Sequence, residues 1–293
     1  MSIIDSQIHI WRAETPDRPW VPGSAIRAQR AEPLGYEELV GLMDEAGVDR
    51  AVLVPPAWEG DRNDFALEAV AEFPSRFGVM GRLTLGQRLS DDELAAWKRQ
   101  PGMLGVRLSF STPREQDWLR DGVTDWFWAA AERLGVPVMI RPPEWFHGLG
   151  DIADRHRGLT IIIDHMGLTE PVVAAGRGEA VIQDVLSLAH HPNISVKCSA
   201  VPTYSSEAYP FRDMHDTIHR MFDAYGPRRL FWGTDLSRLL KKCSYREAIS
   251  MFTQELDFLT ATDKSLIMGD ALAACLTWSR AGPMEQQPRL SHR

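Results

Sequence analysis

Short apolar runs alternate with longer stretches of helical periodicity along almost the whole chain of 293 residues. Strands separated by helices of about 10–15 residues form βαβ units and build a parallel sheet. Eight such units close a (β/α)8 barrel. The pattern therefore predicts an α/β fold, a single TIM barrel, with strands at 3–10, 51–55, 77–83, 104–110, 136–141, 159–164, 193–199 and 229–233.

Apolar residues at helical spacing lie between these strands. They predict helices at 36–46, 64–73, 91–98, 125–134, 180–189, 214–225 and 245–259. Residues 1–280 are expected to form the barrel. The tail, 281–293, shows no periodicity and is expected to be disordered.

The rival fold is a doubly wound open sheet. Its usual nucleotide fingerprints, G-x-G-x-x-G after the first strand and G-x-x-x-x-G-K-[ST], are absent from the sequence. Strands such as Ile161-Ile162-Ile163 are apolar throughout. Strands buried on both faces, as under a ring of helices, have this composition. The barrel is therefore preferred.

Charge and cysteine content limit the partners of the chain. The net charge is -8, from 32 Lys and Arg against 40 Asp and Glu, whereas nucleic-acid binding needs a concentrated basic surface. The three cysteines are far apart and form no C-x-x-C pair, which favours reduced cytosolic thiols over a zinc-thiolate cluster. Apolar runs stop far short of the roughly 20 residues of a membrane span. We expect a cytoplasmic protein with a small-molecule substrate and no nucleic-acid or membrane partner; its oligomeric state stays open.

Polar side chains occur where the predicted strands end. A barrel builds its site at the carboxyl ends of its strands, so these positions are the informative ones. On the first strand, Asp5, Gln7 and His9 have the spacing that places them on one face. The later strand ends supply Arg107, Arg141, Asp164, His165, Lys197, Ser199 and Asp235.

Five segments together carry a resemblance to a known family. They are Ile-Asp-Ser-Gln-Ile-His-Ile-Trp at 4–11, Gly-Val-Arg at 105–107, Asp-His-Met-Gly at 164–167, Val-Lys-Cys-Ser at 196–199 and Trp-Gly-Thr-Asp at 232–235. In this order the chain resembles the amidohydrolase superfamily. The similarity is to the group that holds 2-pyrone-4,6-dicarboxylate lactonases, sulfomuconolactone hydrolases and related sugar lactonases.

The resemblance implies that His9, His165 and Asp235 form the catalytic centre. We expect a carboxylic ester hydrolase that opens a small, anionic lactone. In this hypothesis Asp235 is the general base for a water molecule, and the two histidines stabilise the oxyanion, with or without a divalent metal. Preorganised donors of this kind typically contribute about 2.7–4 kcal/mol each.

A metal ion at this centre is an open question. His9, His165 and Asp235 would supply two imidazoles and one carboxylate, the ligand count of a catalytic zinc site. The implied cofactor is one divalent metal, zinc or manganese, or none. The family usually has His-x-His on the first strand, and this chain has Gln7 at the first of those positions. A later family segment, Asn-Ala, is Asp270-Ala271 here.

Arginine guanidinium groups match carboxylates bidentately. Arg107 and Arg141 are therefore predicted to clamp an anionic substrate, and Gln7, Lys197 and Tyr204 are further candidates for substrate binding. Tyr204 lies in an irregular stretch, 200–210, and a second long loop spans 12–33. Such loops are often functional.

Structural roles compete with these assignments. Asp235 could cap the helix that follows it, and Arg107 or Lys197 could serve in an ion pair. Asp164 is expected to hold a neighbouring imidazole or backbone amide. Asp5 could support a histidine or form a hydrogen bond at the strand end.

Two other functions stay open at this point. The first is a lyase, a non-oxidative decarboxylase or hydratase acting on an aromatic or muconate-type acid. The second is a barrel that binds a metabolite without turning it over. Retention of His9, His165 and Asp235 together favours an enzyme, because a decayed site has no reason to keep all three.

Overall fold

Eight parallel strands form one sheet in the order β1 to β8. The computed structural model describes residues 1–110, 112–141 and 145–278. The strands are β1 Ile4–Ile8, β2 Arg50–Leu53, β3 Phe77–Gly81, β4 Met103–Leu108, β5 Val138–Ile140, β6 Ile161–Ile163, β7 Ile194–Ser199 and β8 Leu230–Gly233. With helices alternating between them, this is the predicted single (β/α)8 barrel.

Helices follow the strands around the outside. The α-helices are α1 Tyr36–Ala46, α2 Asp64–Glu72, α3 Asp91–Lys98, α4 Pro113–Arg120, α5 Asp125–Arg133, α6 Phe146–Arg155, α7 Glu170–Ala174, α8 Gly178–Ser187, α9 Val201–Tyr204, α10 His215–Tyr225, α11 Leu236–Leu239, α12 Tyr245–Ser250, α13 Ala261–Ser265 and α14 Ala271–Cys275. The helix predicted over 245–259 is wrong in its second half. There α12 continues as a π-helical turn, Met251–Glu255, and the chain then leaves the helix.

Hydroxyl side chains begin several of these helices. Ser90, Thr112, Ser244 and Thr260 each accept a hydrogen bond from the backbone N–H three residues on. The acidic side chain at that position accepts a hydrogen bond from the backbone N–H of the Ser or Thr. These capping boxes satisfy helix donors that have no partner within the helix.

Two apolar layers lie on either side of the sheet. The outer layer packs the strands against the helices. The inner layer fills the barrel and contains Val52, Met80, Met139, Ile162 and Phe231. Leu272 and Leu276, at the end of the described chain, join this inner layer. One buried charged residue, Lys197, extends from β7 into the barrel and contacts the sulfur of Met139 at 3.3 Å.

Asp5 joins the first strand to the last. Its Oδ1 accepts the backbone N–H of Gln7 at 3.0 Å and that of Thr234 at 2.9 Å. Its Oδ2 accepts the hydroxyls of Thr234 and Tyr245. Burial raises the pKa of Asp5 to about 6, although these four bonds oppose that shift. Of the two roles predicted for Asp5, the structure shows the strand-end hydrogen bonds.

Two predictions concern other parts of the chain. The tail expected at 281–293 lies outside the described residues. Among the described residues, no helix is long and apolar enough to cross a membrane.

Gly105 in β4 allows close approach of the neighbouring strand. A Cβ at this position would lie 2.3 Å from the carbonyl oxygen of Pro137 and 2.8 Å from the methyl group of Met80. Gly105→Ala should therefore lower the free energy of unfolding by about 1–3 kcal/mol, measured by denaturant titration.

Gly41 provides the matched control. It lies in α1, and a Cβ there would have no neighbour within 4 Å. Gly41→Ala should raise the free energy of unfolding by about 0.5–1 kcal/mol, because alanine is the better helix residue. Equal effects of the two substitutions would show that β4 and β5 do not depend on this close contact.

Candidate active site

A cavity of about 580 Å³ opens at the carboxyl ends of the strands. Its wall includes five of the residues predicted from the sequence: His9, Arg107, Arg141, His165 and Asp235. The predicted catalytic trio thus borders one shared space. His9 Nε2 lies 3.5 Å from Asp235 Oδ1.

Left-handed backbone turns shape the floor of this cavity. Residues one to three positions after β4, β6, β7 and β8 have a positive φ without being glycine: Phe110, His165, Met166, Ala200 and Asp235. This conformation is uncommon for such residues and clusters at functional sites. Strands β4 and β6 end two residues and one residue earlier than predicted, whereas β7 and β8 end at the predicted residues.

Asp235 is fully buried at the end of β8. Its Oδ1 accepts a hydrogen bond from Gln29 Nε2 at 3.0 Å. Its Oδ2 has no hydrogen-bond partner within the described chain, and Arg238 Nε lies 3.2 Å away as an ion pair. Burial pushes the pKa of Asp235 up, but the surrounding positive charge, with Arg238 as its largest source, outweighs it and holds the pKa below the ordinary value. The carboxylate is therefore ionised, and its side chain makes no cap for α11.

His9 has a defined tautomer. Its Nδ1 lies 2.6 Å from the carbonyl oxygen of Val54. A carbonyl oxygen only accepts, so Nδ1 carries the proton. Burial lowers the pKa of His9 to about 4. The ring is therefore neutral, and Nε2 carries the lone pair. This nitrogen is the one that approaches Asp235.

His165 occupies the turn after β6. Its Nδ1 lies 2.7 Å from Ser199 Oγ. Burial lowers the pKa of His165 to about 3, so this ring is also neutral. A hydroxyl both donates and accepts, and Ser199 is therefore compatible with either tautomer of His165.

Lys197 lies beneath the cavity and is completely buried. Its Nζ contacts Asp164 Oδ1 at 2.6 Å, Gln7 Oε1 at 2.5 Å and the backbone oxygen of Ser6 at 3.3 Å. These three oxygens surround the ammonium, and the sulfur of Met139 at 3.3 Å is its fourth neighbour. The ion-pair role considered for Lys197 is the one the structure shows.

Asp164 does not hold an imidazole, as had been expected, but two cations. Besides Lys197, it accepts a hydrogen bond from Arg107 Nε at 3.1 Å. Burial raises the pKa of Asp164, and the charges of Lys197 and Arg107 outweigh it and hold that pKa well below its usual range. Arg107 is thus both an ion-pair partner and a wall of the cavity.

Gln7 connects Lys197 to His9. Its oxygen accepts from the ammonium, and its Nε2 lies 3.3 Å from His9 Nε2. The amide N–H therefore donates to the lone pair of His9. Rotating the amide to offer its oxygen to a metal ion would place its NH₂ group against the Lys197 ammonium.

This donor arrangement does not fit a divalent metal. The described residues include no group of three His, Cys, Asp or Glu side chains placed to hold one. The lone pair of His9 accepts from Gln7. The other histidine that the family has on the first strand is replaced by Gln7, whose amide is held by the buried Lys197. The metal ligands inferred from the resemblance, His9, His165 and Asp235, are therefore near each other without forming a three-ligand site.

The predicted substrate-binding residues separate into two groups. Arg107 and Arg141 line the cavity, and Arg141 makes no ion pair with any described residue. Gln7, Lys197 and Tyr204 do not line it and lie one contact behind it. The Tyr204 hydroxyl donates to the carbonyl oxygen of Leu168 at 3.1 Å. Asp270, at the position of the second family departure, accepts a hydrogen bond from Ser265 at 2.6 Å.

Two residues of the cavity had not been singled out. Arg238 follows Asp235 by one helical turn in α11, and this spacing is a usable sequence signal for an ion pair. Gln29 lies in the long loop at 12–33, and no local pattern indicates its contact with a carboxylate 206 positions later.

Comparison with known proteins gives consistent matches. A 4-sulfomuconolactone hydrolase from Hydrogenophaga intermedia is 25% identical over 233 residues, covering 79% of this chain and 73% of that protein. An L-fucono-1,5-lactonase from Burkholderia ambifaria is 28% identical over 243 residues, covering 80% of this chain and 81% of that protein. Both names agree with the predicted hydrolase class.

Solved structures share the fold. The crystal structure of an amidohydrolase from Burkholderia multivorans with bound zinc has a TM-score of 0.76 and 22% identity, and the match covers 94% of this chain and 99% of that one. The amidohydrolase family model matches residues 4–273. This match confirms the resemblance carried by the strand-end segments, and the chain therefore belongs to the amidohydrolase family.

Proposed function

We propose that this protein hydrolyses a small anionic lactone, with Asp235 as general base. One observation carries the proposal: a buried, ionised carboxylate on the wall of the cavity has one oxygen, Oδ2, without a hydrogen-bond partner among the described residues. A water molecule in the cavity would donate one hydrogen to this oxygen. The lactonase and lactone hydrolase names of the relatives support the same reaction.

The charge of the cavity supports an anionic substrate. Among the described residues that line it, five are cationic and two are acidic. The cations are Arg27, Arg107, Arg141, Arg238 and Lys241, and the acids are Glu170 and Asp235. Asp235 is paired with Arg238, whereas Arg141 is left for a substrate carboxylate.

In the first step, Asp235 takes a proton from water while the water oxygen bonds to the lactone carbonyl carbon. His9 stays neutral beside this carboxylate, because its Nδ1 proton is bonded to Val54 and its Nε2 accepts from Gln7. The sequence hypothesis gave His9 an oxyanion-stabilising role instead. A ring without an N–H on Nε2 cannot donate to an oxyanion from that atom, so we replace that role: a neutral His9 adds no positive charge 3.5 Å from Asp235 and leaves the carboxylate basic.

His165 is then the imidazole that stabilises the oxyanion. With the Ser199 hydroxyl donating to its Nδ1, the proton of the neutral ring lies on Nε2 and donates to the developing charge. When the tetrahedral intermediate collapses, the ring C–O bond breaks. The leaving oxygen takes the proton held by Asp235, which restores the carboxylate and releases a hydroxy acid.

The alternative functions receive less support. A decarboxylase or hydratase of this superfamily was expected to need a fuller metal site, and the contacts of Gln7 and Lys197 oppose one. A barrel that only binds a metabolite would not need a buried, ionised carboxylate with an oxygen that has no hydrogen-bond partner among the described residues.

Asp235→Asn should remove most of the activity while the protein still folds. The amide is nearly isosteric but cannot take a proton from water, and general bases typically contribute about 10²–10⁴-fold. The assay is proton release from a panel of carboxylated lactones, run beside carbon dioxide release from hydroxybenzoates.

Asp44→Asn is the control for that substitution. Asp44 forms an ion pair with Arg76, and its side chain is 61% exposed. This variant should keep the wild-type rate. Carbon dioxide release without lactone opening would instead identify a lyase, and a wild-type rate in Asp235→Asn would remove the general-base assignment.

The rate should have an unusual pH dependence. His9 must be neutral, and its pKa is lowered to about 4, so kcat/KM should stay level from neutral pH down to about 5 and fall near pH 4. An acid limb near pH 6.5, the ordinary value for histidine, would contradict a His9 that stays neutral beside Asp235.

The same shift affects stability. Between about pH 6.5 and 4 the unfolded chain binds protons at His9 and His165 that the folded protein does not. The free energy of unfolding should therefore decrease as the pH falls through this range. Circular dichroism at each pH separates loss of fold from loss of catalysis.

Chelation should leave the activity intact, because Gln7 and Lys197 take the place of metal donors. Activity and zinc content are measured before and after dialysis against a chelator. Gln7→His serves as the comparison, since it restores a second imidazole on β1 and should bind more zinc than the wild type. Loss of wild-type activity that zinc or manganese restores would reverse this prediction.

A further inference from the structure

Arg82, just beyond the end of β3, is buried with much of its hydrogen-bonding capacity unused. Its relative exposure is 9%. Its Nε and Nη1 are buried and have no hydrogen-bond partner among the described residues. Nη2 donates to Ser109 Oγ at 3.3 Å, and the nearest carboxylate oxygen, of Asp61, is 3.9 Å from Nε.

The surroundings of Arg82 carry excess positive charge. Burial, and then the charge of Arg107, lower the pKa of Arg82 to about 10, which still leaves it protonated at neutral pH. The buried carboxylate that contacts Arg107, that of Asp164, is shared with Lys197. Buried donors without partners are costly, so this region favours an anion.

A small pocket of about 20 Å³ lies against Arg82. This is more than a single water needs and too little for a ring. Arg107, Ser109 and Phe110 line both this pocket and the main cavity. The two spaces therefore adjoin, with Arg107 between them.

Acidic residues on the pocket wall do not neutralise Arg82. Glu115 accepts bonds from the backbone N–H and hydroxyl of Thr112 at 2.8 and 3.0 Å, which commits it to the start of α4. The side chain of Asp61 is 50% exposed and stays at ion-pair distance.

We propose that the pocket at Arg82 is a carboxylate subsite, distinct from the position that Arg141 offers. A carboxylate would bind one of the two forks of the guanidinium, Nε with Nη2 or Nη1 with Nη2, and so give a partner to one of the two buried donors that lack one. If the carboxylate is part of a lactone substrate, the inference rests on the proposed function. A free small carboxylate would use the same contacts.

Binding is tested without catalysis. Thermal unfolding is followed in acetate and in malonate, with sodium chloride at matched ionic strength as reference. The carboxylates should raise the Tm of the wild type and of Arg88→Met, a substitution of an exposed arginine, and should not raise that of Arg82→Met. Without carboxylate, Arg82→Met should unfold at the wild-type temperature or above, because it removes a buried charge whose only ion-pair contact among the described residues is 3.9 Å away, with the half-exposed Asp61.

Two results would overturn the subsite. One is a carboxylate effect of equal size in Arg82→Met and the wild type. The other is no carboxylate effect on either protein. Because neither readout requires turnover, the subsite stands even if no lactone is hydrolysed, and it fails independently of the reaction.

Kinetics then identify the source of the carboxylate. The measured quantity is the ratio of kcat/KM for a carboxylated lactone to that for its methyl ester. If the subsite holds the substrate, Arg82→Met should lower this ratio about tenfold or more, and acetate should inhibit the wild type competitively. An unchanged ratio together with a lost acetate effect on Tm assigns the subsite to a free carboxylate.

Discussion

The ammonium of Lys197, buried inside the barrel, determines much of the arrangement above it. It neutralises Asp164, which in turn holds the Nε of Arg107. It also fixes which end of the Gln7 amide faces His9. An isolated ammonium in such a place would be strongly disfavoured, so the carboxylate and the amide oxygen belong to one unit with it. The ammonium of Lys197 therefore fixes the hydrogen-bond directions at the cavity floor, although Lys197 itself does not line the cavity.

This unit separates the roles of two histidines that look equivalent in the sequence. His9 is fixed by two partners, a carbonyl oxygen on one side and an amide N–H on the other. His165 has a hydroxyl partner that accommodates both tautomers. One ring is thus committed to accepting a hydrogen from Gln7, and the other is free to donate one. In the proposed hydrolysis the second ring donates to the carbonyl oxygen, and the first stays neutral beside Asp235.

The barrel could be predicted from the sequence because its signals are periodic and local. The alternation of strands and helices, and the polar residues at strand ends, were enough to identify His9, His165, Asp235, Arg107 and Arg141 as neighbours. The roles of Gln7 and Lys197 could not be read in this way. These roles depend on a contact across the barrel, between Gln7 on β1 and Lys197 on β7. The sequence also does not show which way the amide of Gln7 is turned. Arg82 stood within a predicted strand, but only its burial and missing partners distinguish it.

The hydrogen bond from Gln29 to Asp235 joins the long loop after β1 to the proposed general base. In barrel enzymes such loops are the natural place for substrate preference to change while the scaffold persists. Here the loop cannot vary freely, because one of its side chains orients the carboxylate that all substrates would share. A chimera that took this loop from another protein would need an amide or an equivalent donor at the position of Gln29. Without it, the chimera could accept a new ligand but would leave the Asp235 carboxylate misaligned.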